Sequence, residues 1–173
     1  MRDGQIKSWL WGRYSGLAFA LLAATAILDQ GHKWWMILGY RIEEKGRVAV
    51  LPFLDLVYVL NKGISYSLLN MSTREGQWAL AAFAFAASIW LWVWCARAES
   101  RLMAASLALI AGGAIGNGID RVTLGGVADF FLAHAYGYSW YVFNIADVAI
   151  VAGVCGLLYE SLIVSRKGAT KSL

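Results

Sequence analysis

The residues most able to do chemistry in this chain are the acids that interrupt its apolar runs: Asp29, Asp120, Asp129 and Asp147. A carboxylate placed in hydrocarbon is costly unless it is neutralised, paired or wetted, so each marks a functional position by default. Asp129 and Asp147 have no cationic neighbour close in sequence. Two acids that meet unpaired share one proton, because their repulsion raises one pKa strongly. Such a dyad is base and acid at once: the ionised member takes a proton from water while the protonated member hydrogen-bonds to a scissile carbonyl. That is aspartic-peptidase chemistry, although the proton-relay acids of a transporter use the same residue types.

The other polar groups admit a structural and a functional reading. Asp29 and Lys33 are four apart in the acid-first order that favours an ion pair on one helix face, as scaffold or as a substrate contact. Asn117, Asp120 and Arg121 share a helix end. There Arg121 and Asn117 can address peptide carbonyls, for substrate positioning or for anchoring the helix. Ala108, Gly112 and Gly116 form a small-xxx-small ladder that invites close helix packing. Cys95 and Cys155 stand in apolar runs without a CxxC or Cys/His partner and read as packing residues, so no metal and no cofactor are expected.

These groups must be positioned by membrane-spanning helices. Of 173 residues, 60% are hydrophobic and only 15% charged, and the charges cluster between long apolar runs. The excess of Lys and Arg lies in short connecting segments and forms no basic stripe, so it speaks for topology and against a nucleic-acid partner. Four stretches can cross about 30 Å of hydrocarbon: residues 14–40, 76–96, 102–119 and 139–164. The first also resembles a cleavable signal peptide, with Arg2, Lys7 and Arg13 ahead of an apolar core and Ala24 and Ala26 as a cleavage motif, but Trp34–Leu38 prolong the run.

Segments 1–13, 95–101 and 165–173 together hold eight Lys and Arg, which marks them, and with them both termini, as cytoplasmic. Asp29 then lies roughly 22 Å above Tyr14, and Asp120 roughly 28 Å above Arg101, at about 1.5 Å per residue. Asp147 lies about 10 Å below the outer end of the last span by the same rise, and Asp129 falls in the outer connection. All four acids thus reach one outer layer, while Glu160 stands alone near the cytoplasm. Residues 41–75 form the other outer connection, where VAVLPFLDLVYVLN reads as short strands of a small β platform. The Gly- and aromatic-rich stretch 121–141 reads as a re-entrant or interfacial segment. The expectation is one membrane-embedded all-α domain over residues 1–173, a four-helix bundle carrying the β platform and the interfacial segment.

Five boxes, LDQGHK (28–33), NKGISYSLL (61–69), GGAIGNGIDR (112–121), GGVADF (125–130) and FNIAD (143–147), together and in this order resemble the lipoprotein signal peptidase family, signal peptidase II. The resemblance implies a bacterial inner-membrane aspartic peptidase with its active site toward the periplasm. Its substrates would be diacylglyceryl-modified prolipoproteins, cleaved on the amino side of the lipidated cysteine. Box by box, Asp129 and Asp147 would be catalytic, Asn61, Gly63, Asn117, Arg121 and Asn144 would line the substrate site, and Asp29, Lys33 and Asp120 would support it. The chain departs from the common pattern at His32 (Ser or Thr), Tyr66 (Phe) and Ala128 (Val), none of which removes a proposed catalytic group. Membrane lipid is the expected surrounding and the monomer the expected state.

Two other classes compete. A proton-coupled transporter would need a polar path through the cytoplasmic half, where only Glu160 is available. A non-enzymatic membrane assembly subunit would depend on the glycine ladder and tolerate loss of the aspartates.

Overall fold

In the computed structural model, which describes residues 9–63 and 73–170, the apolar stretches fold as helices, the later ones starting at side-chain caps. Helix α1 (Ser15–Trp34) runs into a π-helical turn, Trp35–Gly39, closed by the Tyr40 N–H donating to the Trp35 carbonyl at 2.7 Å. A single turn, α2 (Ile42–Lys45), follows after Arg41 adopts a left-handed conformation (φ 55°). Helix α3 (Arg74–Ala96) is capped by the Thr73 hydroxyl, which accepts from the Gly76 N–H at 3.1 Å. Helix α4 (Arg101–Thr123) is capped in the same way by Ser100, which accepts from Met103 at 2.9 Å. Helix α5 (Ile145–Thr170) completes the bundle.

Four strands form one antiparallel sheet in the order β1 (Val48–Leu51), β2 (Leu54–Asn61), β3 (Val127–Ala135) and β4 (Tyr138–Phe143). The first hairpin turns at Pro52 and Phe53, where a missing N–H costs no ladder bond. The second turns at Tyr136 and Gly137, both at positive φ (51° and 81°), as a two-residue hairpin whose twist matches its strands requires.

Polarity is distributed inside out. Phe83, Ile89, Trp90, Val151 and Leu162 face outward, while Asp29, Lys33, Gln77, Ser88, Asp120 and Asn144 are buried. Water would not tolerate that arrangement, but a hydrocarbon solvent favours it, because polar groups then find partners only inside the protein. Three helices, α3, α4 and α5 (over Ile145–Leu162), are long and apolar enough to cross a membrane. Helix α4 packs against α1, α3 and α5. Its small-residue face explains how. A methyl added at Gly112 would come within 2.8 Å of the Leu22 carbonyl oxygen, and one at Gly113 within 2.5 Å of the Ala146 carbonyl oxygen. Cys95 packs in the core as expected, whereas Cys155 is exposed on the outer face of the bundle.

Several sequence expectations need correction. The last span does not begin at residue 139: residues 138–143 are strand β4, and the helix starts at Ile145. Hydropathy alone does not separate an apolar, aromatic strand such as this from the start of a span. The stretch 121–141 is not a re-entrant segment but the end of α4 followed by the β3–β4 hairpin, so the sheet draws half its strands from outside residues 41–75. The 14–40 run is an α-helix only to Trp34.

Candidate active site

Three N–H donors on one ammonium organise the interior. Lys33 Nζ lies 2.7 Å from Asp29 Oδ2, 2.8 Å from Asp120 Oδ2 and 3.0 Å from Asn117 Oδ1, so its donor capacity is filled. Its side chain and both carboxylates are almost wholly buried. Gln30, on the turn between Asp29 and Lys33, donates to Asp120 Oδ1 at 2.7 Å and to the Gly116 carbonyl at 3.1 Å. A Cβ at Gly116 would sit 2.5 Å from Asp29 Oδ2, so a larger residue there would displace this carboxylate. The ion pair expected from the 29/33 spacing is therefore present, extended by a second acid from α4.

Each acid of this cluster also grips a backbone N–H. Asp29 Oδ1 accepts from Ala146 at 2.9 Å, and Asp120 Oδ2 accepts from Ala128 at 3.0 Å. Ala146 immediately precedes Asp147, and Ala128 immediately precedes Asp129. The cluster thus fixes the two chain segments that carry the unpaired acids.

Asp129 enters from β3, opposite Val59 of β2, and is buried. Its Oδ1 accepts from Asn144 Nδ2 at 2.7 Å and its Oδ2 from Asn61 Nδ2 at 3.3 Å. Asp147 sits in the first turn of α5. Its Oδ1 accepts from Asn117 Nδ2 at 2.9 Å and its Oδ2 from the Asn144 N–H at 3.2 Å. In return, Asn144 Oδ1 accepts from the Asp147 N–H at 2.9 Å. This reciprocal pair is a capping box, in which residues 144 and 147 satisfy each other's helix-end donors. Asn144 consequently touches both acids, and all four of their carboxyl oxygens receive N–H donors without a cation in hydrogen-bond contact among the described residues.

The electrostatics follow. Burial pushes the Asp129 carboxyl up to about 6, and the nearby charge of Asp147 adds to the rise, against the opposing hydrogen bonds from Asn144 and Asn61. The arrangement can keep a proton on one carboxyl while the other, at the positive end of α5, accepts one from water.

The remaining expected residues fall around this centre. Gly63 donates its N–H to Asn61 Oδ1 at 3.2 Å and so holds the amide that reaches Asp129. Arg121 Nη1 donates to the Asn117 carbonyl at 3.1 Å, closing its own helix end instead of meeting an acid. His32 stacks on Phe131 (centroids 5.1 Å apart, 18° between planes) and meets Phe130 edge-on, which props β3 next to Asp129. Tyr66 lies outside the described residues. Gln30 and the grip on the two backbone N–H groups were missed from the sequence. The Asn-x-x-Asp spacing ahead of an apolar run was a readable signal for the capping box, whereas nothing in the sequence marks a backbone donor.

With this geometry in view, comparison with known proteins is specific. The model for the family "Signal peptidase (SPase) II" matches residues 21–163. A lipoprotein signal peptidase of Methylocella silvestris is 50% identical over 152 residues, covering 87% of this chain and 89% of the relative. Another, from Rhodopseudomonas palustris, is 51% identical over 141 residues, covering 79% and 86%. A bacterial membrane enzyme solved by the in meso method at 2.3 Å superposes with a TM-score of 0.69 at 25% identity, over 87% of this chain and 90% of that one. A second such structure, at 1.9 Å, gives a TM-score of 0.70 at 24% identity and shows the same fold.

Proposed function

The chain belongs to the signal peptidase II family, and from that premise we propose that it is an aspartic endopeptidase removing signal peptides from prolipoproteins, with Asp129 and Asp147 as its catalytic pair. The observation that carries the mechanism is the single residue, Asn144, whose side-chain amide donates to the Asp129 carboxyl and whose backbone N–H donates to the Asp147 carboxyl, with no cation in hydrogen-bond contact with either among the described residues. Asp147 takes a proton from a water molecule whose oxygen attacks the scissile carbonyl carbon. Asp129 supplies the proton that the carbonyl oxygen takes up. The resulting gem-diol collapses, the C–N bond breaks, and the leaving amine departs with a proton from the dyad. No covalent acyl-enzyme forms on this route. Asn61, Gly63, Asn117, Asn144 and Arg121 line the path of an extended peptide, whose backbone groups suit amide and guanidinium partners.

The protein is read as a multi-pass inner-membrane protein of a bacterium. Helix α1 serves as a fourth span beside the three apolar ones, its one acid, Asp29, and Lys33 hidden against α4. Both termini face the cytoplasm, and the aspartates and the sheet face the periplasm. There the acyl chains of a diacylglyceryl cysteine lie in the outer leaflet and place the bond before it at the level of the dyad. The chain acts as a monomer. The transporter alternative lacks support: Glu160 at the other end of the bundle accepts from the Ser100 hydroxyl, the cap of α4, and so has a structural partner.

A gel-shift cleavage assay on diacylglyceryl-modified and unmodified precursor tests the reading. Cleavage restricted to the lipidated form is expected, and equal cleavage of both would overturn the assigned substrate. A periplasmic reporter active when fused to either terminus would overturn the orientation.

A further inference from the structure

The end of the bundle that carries the four aspartates also holds a polar cavity of about 310 Å³, lined by Lys62, Arg74, Gln77, Trp78, Arg121 and Gly125 among others, which shares only Arg121 with the proposed peptide path. Three of its walls are cationic and none is acidic. Among the described residues no carboxylate lies within ion-pair distance of Lys62, Arg74 or Arg121. Arg121 spends one guanidinium nitrogen on the Asn117 carbonyl, while its Nε is buried without a hydrogen-bond partner. The Gln77 side chain donates to the Lys62 carbonyl at 2.5 Å, tying the segment that follows β2 to the first turn of α3, which carries Arg74. Trp78 on the rim is half exposed, as an indole at the headgroup level of a bilayer would be.

Converging cations with unspent donors are an anion site, and the orphaned Nε–H of a guanidinium fork suits a tetrahedral oxyanion better than a single point acceptor. A soluble anion and a lipid phosphodiester offer the same chemistry, but the cavity opens beside an exposed Trp at the boundary of an apolar bundle. We propose that it is a phosphate-binding site occupied by the headgroup of an anionic phospholipid. A bound headgroup would brace α3 against the Arg121 end of α4, and so stiffen one side of the proposed active site. The site does not depend on the peptidase reading, and its test uses no cleavage assay.

The full chain, in nanodiscs of phosphatidylcholine with a minor share of phosphatidylglycerol, should retain phosphatidylglycerol selectively when released for native mass spectrometry. The double variant Lys62→Gln/Arg74→Gln should lose that retention by on the order of tenfold or more, given two cationic contacts removed. The charge-keeping Lys62→Arg/Arg74→Lys should preserve it. Melting in lipid-free detergent checks that each variant is folded, and the single Lys62→Gln and Arg74→Gln variants carry the comparison if the double variant does not fold. Equal retention by wild type and the Gln variants, or no preference for phosphatidylglycerol over phosphatidylcholine, overturns the site. Inorganic phosphate displacing the lipid and stabilising the chain equally well would reassign the pocket to a soluble phosphate and overturn the lipid assignment.

Discussion

Two pairs of aspartates lie side by side in this protein and are treated in opposite ways. Asp29 and Asp120 share the ammonium of Lys33, while Asp129 and Asp147 share only amide and backbone N–H donors. A buried carboxylate beside an ammonium has a counter-ion that offsets part of the cost of its burial. A buried carboxyl beside another carboxyl, held only by amide and backbone N–H donors, has no such counter-ion, which is the basis on which this pair is proposed as the acid and base. On the proposed reading, pairing makes scaffold and its absence makes chemistry. The two pairs are also coupled: each scaffold acid holds the backbone N–H just ahead of a proposed catalytic acid.

The sharpest way to break the comparison is to remove one carboxyl of the unpaired set. Asp129→Asn and Asp147→Asn keep the size of the side chain and should each lower turnover of a diacylglyceryl prolipoprotein at least about 10³-fold, the scale of lost general acid–base catalysis. Both variants should insert and melt much as the parent does. Near-normal turnover by either would end the proposed mechanism.

Removing the cation should instead strike stability. Lys33→Met leaves Asp29 and Asp120 buried without their counter-ion, a change that costs about 3–5 kcal/mol when one partner of a buried pair is lost. A thermal melt in detergent should show this as a large fall in Tm, with Asp29→Asn giving a smaller one. If Lys33→Met kept its Tm but lost activity, the Lys33 cluster would have to be moved from scaffold to catalysis.

Asn144 is where the two regions differ most in kind, since it joins helix capping to both acids. Asn144→Ala should cost about 1 kcal/mol as a lost cap. It should also lower kcat by roughly 100-fold through misplacement of the dyad. Asn144→Asp keeps an acceptor for the cap but replaces the donor to Asp129 with a third buried carboxyl, and should lower both activity and Tm further than Asn144→Ala.

Much of this contrast was legible before any coordinates. The i, i+4 spacing of Asp29 and Lys33 announced an ion pair, since both residues lie on one helical face, and the lack of a local cation singled out Asp129 and Asp147. The Pro52 turn and its β-branched flanks announced β1 and β2. The β3–β4 hairpin was not legible, because Phe130, Phe131, Tyr138 and Val142 suit a sheet, an interface and a span about equally, and only pairing with β2 decides between them. Asp120 as the second partner of Lys33 was equally hidden, being 87 positions away and joined to it only by the packing of α1 on α4.

The mildest test follows from the Asp129 carboxyl, held up at about 6 chiefly by burial and next by Asp147. If Asp129 carries the proton that polarises the scissile carbonyl, kcat/KM should fall about tenfold per pH unit above that value, because kcat/KM reports groups of the free enzyme. The same shift has a sign for stability. The folded chain binds this proton more tightly than the unfolded chain, whose carboxyl titrates near 3.8. Its contribution is therefore fully present below 3.8, and it is lost as pH rises through about 6. Melts recorded across this window should show the wild type losing Tm with rising pH relative to Asp129→Asn, which has nothing to titrate at that position. Parallel curves for the two proteins would mean that Asp129 feels neither its burial nor its neighbour, and the distinction between the paired and unpaired acids would lose its physical basis.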